Sequence, residues 1–184
     1  AKVTCFDISK VQLEACREQS PGCAAYELGS VADLSRFADH LFDVAVALGG
    51  VLSYCFDQAP QAISELVRVT RPGGWACVSV MNLHGTINRF LPSVLEVPVA
   101  KDREILDNGN LDRSDNNGRE CHMVRVEECR ELLVSSGLEQ VELHAAGWLV
   151  SDDNAEIPEV GSEAWRFLLR AELIACRESP GAGT

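Results

Sequence analysis

The sequence predicts a doubly wound α/β domain built on a parallel sheet, and three observations carry that prediction. Short apolar runs of strand type recur at Val3–Asp7, Ala24–Leu28, Phe42–Leu48 and Trp75–Val80. Helical patterns separate the first from the second and the third from the fourth, the spacing of βα units. Turn chemistry, above all Arg71-Pro72-Gly73-Gly74, punctuates them.

Residues 2–7 form a short buried strand that ends in an acid, Asp7. Ser9 is placed as the N-cap of a helix over 10–18, with Gln12 completing a capping box and Ile8 and Leu13 a hydrophobic staple. Ser20-Pro21-Gly22 closes that helix, and Ala24–Leu28 is the second strand. Gly29–Leu34 is a loop, and Phe37–His40 is expected to make one helical turn. Phe42–Leu48 is the clearest strand, apolar except for Asp43, as suits a strand covered on both faces. Residues 58–70 are an amphipathic helix with Ile63, Leu66, Val67 and Val69 inward and Glu65 and Arg68 outward. Pro72 cannot continue it, and Gly73-Gly74 turns the chain into the strand 75–80.

From residue 82 to about 125 the periodicity fades. Asp107–Asn110 and Ser114–Gly118 are turn-rich, and Ile87–Leu91 is a helical piece. A loop-rich stretch of that length is expected to be a functional insertion or lid. Val126–Ser136 is a helix ended by Gly137, Gln140–His144 a strand, and Ser162–Arg177 a helix facing inward through Trp165, Leu168, Leu169 and Leu173. Residues 179–184 are a tail. With 184 residues and 46% hydrophobic content, residues 1–184 are expected to share one core and one domain.

Composition excludes several function classes. The net charge of −12 disperses 16 basic residues among 28 acids, whereas nucleic-acid binding relies on clustered Lys and Arg. No apolar stretch approaches the ~18 residues of a membrane-spanning helix, and the basic-then-apolar pattern of a signal peptide is not expected here. The eight cysteines, at 5, 16, 23, 55, 77, 121, 129 and 176, include no C-x-x-C pair, so no metal site is expected. They are read as reduced, structural thiols of a cytoplasmic protein.

Candidate site residues follow from the sheet. Ligands of such folds bind at the carboxyl ends of strands, and a carboxylate there accepts hydrogen bonds from ribose hydroxyls. Asp7 occupies that place, although a helix-capping role suits it too and NAD-binding proteins use an acid at the same point. Asp33 either adds a second acceptor or starts the next turn. Gly49-Gly50 lets backbone approach a bulky ligand, or simply serves helix packing.

The stretches Phe42-Asp43-Val44-x-x-x-Leu48-Gly49-Gly50-x-Leu52-Ser53 and Glu65-Leu66-Val67-Arg68-Val69-Thr70-Arg71-Pro72-Gly73-Gly74, together with the acid-ended strand at Asp7, resemble class I S-adenosylmethionine-dependent methyltransferases of the bacterial small-molecule type. The resemblance covers roughly residues 2–82, while 83–177 follow only the general plan. It implies a Rossmann-like sheet, S-adenosylmethionine as cofactor and a small-molecule methyl acceptor. It also implies that the chain lacks the first strand and its glycine-rich loop, and that the tail stops short of a last strand. Carried over residue by residue, Asp7 and Ile8 meet the ribose and Ser30 and Val31 the adenine edge. Leu48, Gly49 and Gly50 line the space between methionine and acceptor, and 83–125 becomes a substrate-side insertion.

Methyl transfer from a sulfonium is an in-line displacement governed by alignment. A general base is needed only when the acceptor must lose a proton; His84, then Tyr54 and His122, are the candidates. The missing central strand would leave 2–7 and 42–48 with unpaired edges. Those strands must then pair directly, or a second copy or partner chain must complete the sheet. The isolated chain is therefore expected to be weak or inactive as an enzyme. Two other classes compete: a non-catalytic methyltransferase-like subunit acting through a partner, and an NAD-dependent oxidoreductase, which lacks a phosphate-binding glycine fingerprint.

Overall fold

The acid-ended run at the start folds as strand β1 (Thr4–Asp7), and helix α1 (Lys10–Gln19) returns the chain to a parallel neighbour, β2 (Ala25–Leu28). These elements belong to a computed structural model that describes residues 1–89, 99–114, 118–147 and 157–181. The described chain groups into two compact units, one of Ala1–Ala47 with Asp57–Val78 and the other of Leu48–Phe56 with Ser79–Thr184.

In the first unit the register runs from Thr4 opposite Ala25 to Asp7 opposite Leu28. Ser9 caps α1 by accepting the Gln12 N–H at 3.4 Å. The expected return from Gln12 is not made; the Ser9 N–H instead donates to Asp7 Oδ1 at 2.7 Å. Nor does the staple form, because Leu13 is buried while Ile8 is 76% exposed. Residues 37–40 make turns rather than a helix.

Strand β3 (Phe42–Ala47) leads through two 3₁₀ turns to helix α2 (Ala59–Val69) and strand β4 (Thr70–Val78), which lies parallel to β3. Helix α2 buries Ala62, Ile63, Leu66 and Val69, a stripe at helical spacing, against β3 and β4. Val67, expected inside, is only half-buried. The Arg71–Gly74 segment does not precede the strand but bulges within it, since Phe42 pairs with Thr70 and Val44 already with Trp75. Gly73 adopts φ +70°, and a Cβ on Gly74 would stand 2.6 Å from the Asp43 carbonyl oxygen, so only glycine fits.

Two expectations for this unit need correction. Glu65 and Arg68 do not point freely outward. Glu65 accepts the Leu34 N–H at 2.7 Å, and Arg68 bonds Glu65, Asp39 and the carbonyls of Leu34 and Phe37, pinning the 34–39 loop to α2. Strand β3 is not covered on both faces either. Val44, Val46 and Trp75 share a face that remains exposed, Trp75 by 63%.

Among the described residues β1 and β3 do not pair with each other, and each is hydrogen-bonded only to its own partner strand. Between them lies a cleft of about 1060 Å³ lined by residues of both, including Thr4, Phe6, Phe42 and Val44. Phe37 bridges the two strands by edge-to-face contacts, 5.6 Å from Phe6 and 5.3 Å from Phe42.

In the second unit, helix α3 (Leu83–Arg89) is started by Asn82, whose Oδ1 accepts the Gly85 N–H at 2.7 Å. Helix α4 (Val99–Asn108), strands β5 (Asn110–Leu111) and β6 (Cys121–His122) and helix α5 (Val126–Val134) follow. β5 and β6 are antiparallel, and residues 81–83 pair with Val124 beyond β6. The region expected to be loop-rich therefore carries two helices and a short ladder among its described residues. Phe90 and Leu91 of the expected helical piece, and 115–117 of the expected turn, lie outside the described residues. Gly137 takes the expected positive φ after α5. Gln140–His144 forms no strand. Helix α6 (Glu163–Glu178) fully buries only Cys176; Trp165 and Leu168 are half-buried, whereas Leu169 and Leu173, expected inside, are exposed.

Candidate functional site

Parallel pairing of β1 with β2 brings their carboxyl ends together, so Asp7 and the Gly29–Val31 turn become neighbours. The Gly29 N–H donates to the Asp7 carbonyl at 3.0 Å. A Cβ at Gly29 would meet the Phe6 ring at 2.6 Å, so a larger residue at the start of this turn would force the ring to shift. Asp7 spends Oδ1 on the Ser9 N–H, and among the described residues Oδ2 accepts no hydrogen bond. A half-buried carboxylate with a spare oxygen at a strand end can accept from a ligand's hydroxyls.

The other acceptors of this end are more committed. Ser30 Oγ accepts the Ala32 N–H at 3.3 Å, and its carbonyl accepts the Asp33 N–H at 2.9 Å. Its hydroxyl proton can still be offered outward. Asp33 turns to Ser35, accepting its N–H at 3.1 Å, and hydrogen bonds from Ser35 hold its carboxyl below the ordinary range. Of the two roles open for Asp33 in the sequence, it performs the turn-starting one. Val31 is half-buried and Ile8 exposed beside the same strand end.

The remaining site candidates belong to the second unit. Gly49 and Gly50 have φ of +83° and +74°, a conformation natural to glycine. The Gly50 N–H donates to Ser79 Oγ at 3.0 Å, and the Met81 N–H donates to Ser53 Oγ at 2.9 Å. Buried Ser53 and Leu52 thus anchor the 48–54 segment, while Leu48 and Tyr54 are exposed. His84 is also exposed, on the first turn of α3. His122 is unlike the other base candidates, because both its ring nitrogens are engaged: Nδ1 with Asn110 Oδ1 at 2.8 Å and Nε2 with Glu128 Oε1 at 2.6 Å.

One grouping escaped the sequence reading. Cys5, Cys16 and Cys23 come from β1, α1 and the turn entering β2, yet their sulfurs meet, with Cys16 3.3 Å and Cys23 3.4 Å from Cys5. The signal lay in helix periodicity: Cys16 stands three residues after Leu13, on the face that α1 turns to β1.

Residues 1–78 match a family model described as a methyltransferase domain. No curated protein matches the sequence. A solved S-adenosylmethionine-dependent methyltransferase from Methanosarcina mazei is 20% identical, with a TM-score of 0.56 over 73% of this chain and 68% of its own. One from Thermotoga maritima, described as a possible histamine N-methyltransferase, is 18% identical with a TM-score of 0.50, over 73% of this chain and 54% of its own. A chain of the Haloferax volcanii complex between the Trm112 methyltransferase activator and a methyltransferase is 16% identical with a TM-score of 0.55, over 99% and 68%. The present chain thus spans only 54% of the Thermotoga protein. No described helix is long and apolar enough to cross a membrane. The chain therefore has the Rossmann-like fold seen in class I S-adenosylmethionine-dependent methyltransferases, and its residues 1–78 match the methyltransferase-domain family model.

Proposed function

We propose that this chain is part of an S-adenosylmethionine-dependent methyltransferase that modifies a small-molecule acceptor, with Asp7 as the residue that binds the cofactor ribose. The observation that carries the reading is the spare Asp7 oxygen at the end of β1, next to the Gly29–Val31 turn, inside the segment that matches the methyltransferase family. Two vicinal hydroxyls are the donors such an acceptor takes. The family resemblance assigns Ile8, Ser30 and Val31 to the adenosine, and Leu48, Gly49 and Gly50 to the sulfonium end; a Cβ on Gly49 would meet nothing within 4 Å.

The cofactor, when bound, supplies a methyl group on a sulfonium sulfur, and the chain's own residues orient it. His84 and Tyr54 are exposed and available to take a proton from an acceptor that must lose one. His122, with both nitrogens engaged, is not available in that way. In this reading residues 1–184 act as one domain with 83–125 as the acceptor-side insertion. The acidic balance disfavours a nucleic-acid acceptor. A count of eight cysteines with no paired motif suits the reducing cytoplasm.

A second reading is favoured by the cleft between β1 and β3. There a partner chain or second copy adds an extended segment, and the chain acts as a methyltransferase-like subunit with little activity alone. The Haloferax protein, seen with an activator, offers a parallel.

Calorimetric titration with S-adenosylmethionine, using NAD as the control, tests the first reading. Saturable binding of the methionine cofactor alone is expected. Asp7→Ala should weaken it about ten- to a hundredfold, the loss of a charged hydrogen bond. Binding of NAD instead, or affinity untouched by Asp7→Ala, would overturn it. A folded chain that binds neither until a partner is added would select the second reading.

A further inference from the structure

The Cys5, Cys16 and Cys23 sulfurs form a hydrogen-bonded row. The Cys16 thiol donates to Cys5 Sγ at 3.3 Å, and the Cys5 thiol donates to Cys23 Sγ at 3.4 Å. All three are half-buried and unoxidised, and they come from positions 11 and 18 residues apart along the chain. Contact between three thiols is unneeded for packing, since any small apolar side chain fills such a place. Among the described residues no group of three His, Cys, Asp or Glu side chains is arranged to hold a metal ion. The chemistry left to the row is that of sulfur with sulfur.

We propose that Cys5, Cys16 and Cys23 form an oxidation-responsive thiol triad in which a peroxide converts Cys5 and one of its two neighbours into a disulfide. Cys5 is the shared member because it alone touches both other sulfurs. The outer thiol, Cys16 or Cys23, meets the oxidant first: its thiolate sulfur attacks one peroxide oxygen, the O–O bond breaks, and the departing hydroxide is protonated to water. The resulting sulfenic acid then receives the Cys5 sulfur. The S–O bond breaks, and its hydroxide leaves with the Cys5 proton as a second water. Two thiols are oxidised by two electrons, and one peroxide is reduced to two waters.

The environment of Cys5 fits the later role. Hydrogen bonding with Cys16, then burial, push its thiol up to about 12, which disfavours its thiolate and so disfavours Cys5 as the first sulfur to meet the oxidant. Closing a bond of about 2.05 Å requires the sulfurs to approach by little more than an ångström, within reach of side-chain rotation. The bridge would tie β1 to α1 through Cys16, or to the turn before β2 through Cys23, two residues ahead of Asp7. With two alternative partners, the disulfide can also migrate by exchange without leaving the triad.

The test treats the reduced full chain with stoichiometric hydrogen peroxide, alkylates it, and maps the peptides by mass spectrometry. A cross-linked peptide joining Cys5 to Cys16 or Cys23, lighter by two hydrogens and reopened by dithiothreitol, is expected. In C16S only the Cys5–Cys23 link should remain, in C23S only Cys5–Cys16, and in C16S/C23S none. Each single variant is informative by itself, so failure of one to fold leaves the other. A Cys16–Cys23 bridge, sulfinic acid at Cys5 without any bridge, or oxidation confined to exposed Cys77 would overturn the proposal.

Discussion

The two βαβ pieces of the first unit share a plan and differ in how much of themselves they cover. In β3–α2–β4, the helix sinks Ala62, Ile63, Leu66 and Val69, and Arg68 staples the 34–39 loop onto it. In β1–α1–β2, the helix sinks only Leu13 and leaves Val11 72% exposed. Yet the thinly covered piece carries Asp7, the Gly29–Val31 turn and the thiol triad. The β3–α2–β4 piece is held by burial, whereas the β1–α1–β2 piece keeps its polar and reactive groups only half-buried. Such division between a stable scaffold and a looser ligand-bearing segment is the pattern expected of local stability in binding proteins.

The contrast is broken most directly by emptying the two helices in turn. Ile63→Ala should cost about 2–5 kcal/mol in urea unfolding, because its site is enclosed and cannot collapse. Leu13→Ala, on a helix bordering the open cleft, should cost less. Equal losses would show that the two pieces are equally built. A glycine pair sharpens the same point. Gly74→Ala forces a Cβ against the carbonyls of Asp43 and Arg71 and should cost about 1–3 kcal/mol. Gly22→Ala, whose Cβ would meet nothing within 4 Å, should stay within about 0.5 kcal/mol.

A pH series probes the staple. The hydrogen bond from Arg68 holds the Glu65 carboxyl below its ordinary value. A carboxylate lowered on folding contributes stability above its unfolded value and loses it as pH falls through the folded one. Urea midpoints of the wild type should therefore drop on acidification below the ordinary carboxylate range, and Glu65→Gln should drop less over that window. Parallel curves would remove Glu65 from the account. The smallest effect is expected at Val11→Ser, within about 0.5 kcal/mol by thermal or urea unfolding, since that side chain already lies in water.

What the sequence made legible follows from these same forces. Short apolar runs and helical patterns located β1, α1, β2, β3 and α2 to within a residue or two, because these elements are fixed largely by local sequence. The Arg71–Gly74 bulge was read as a turn, since nothing local tells whether a strand has already begun to pair at Thr70. The 140–144 run looked like a strand, but a local run cannot supply a partner, and none is present among the described residues. On the site, Asp7 was legible because the strand end defines its place, while Ser30 was legible through the family resemblance of its loop. The engagement of Asp33 with Ser35 and of His122 with Asn110 and Glu128 depended on side-chain geometry that spacing does not encode. The thiol triad required the packing of α1 on β1, a tertiary fact.

The most direct test of the account is backbone hydrogen exchange with and without S-adenosylmethionine. Without ligand, α2 should exchange far more slowly than α1. With ligand, protection should rise in peptides holding Asp7–Ser9 and Gly29–Val31 and stay unchanged across Ala59–Val69. Uniform protection in the free chain, or ligand protection that appears at α2 and bypasses Asp7, would contradict both the division of labour and the assignment of the site.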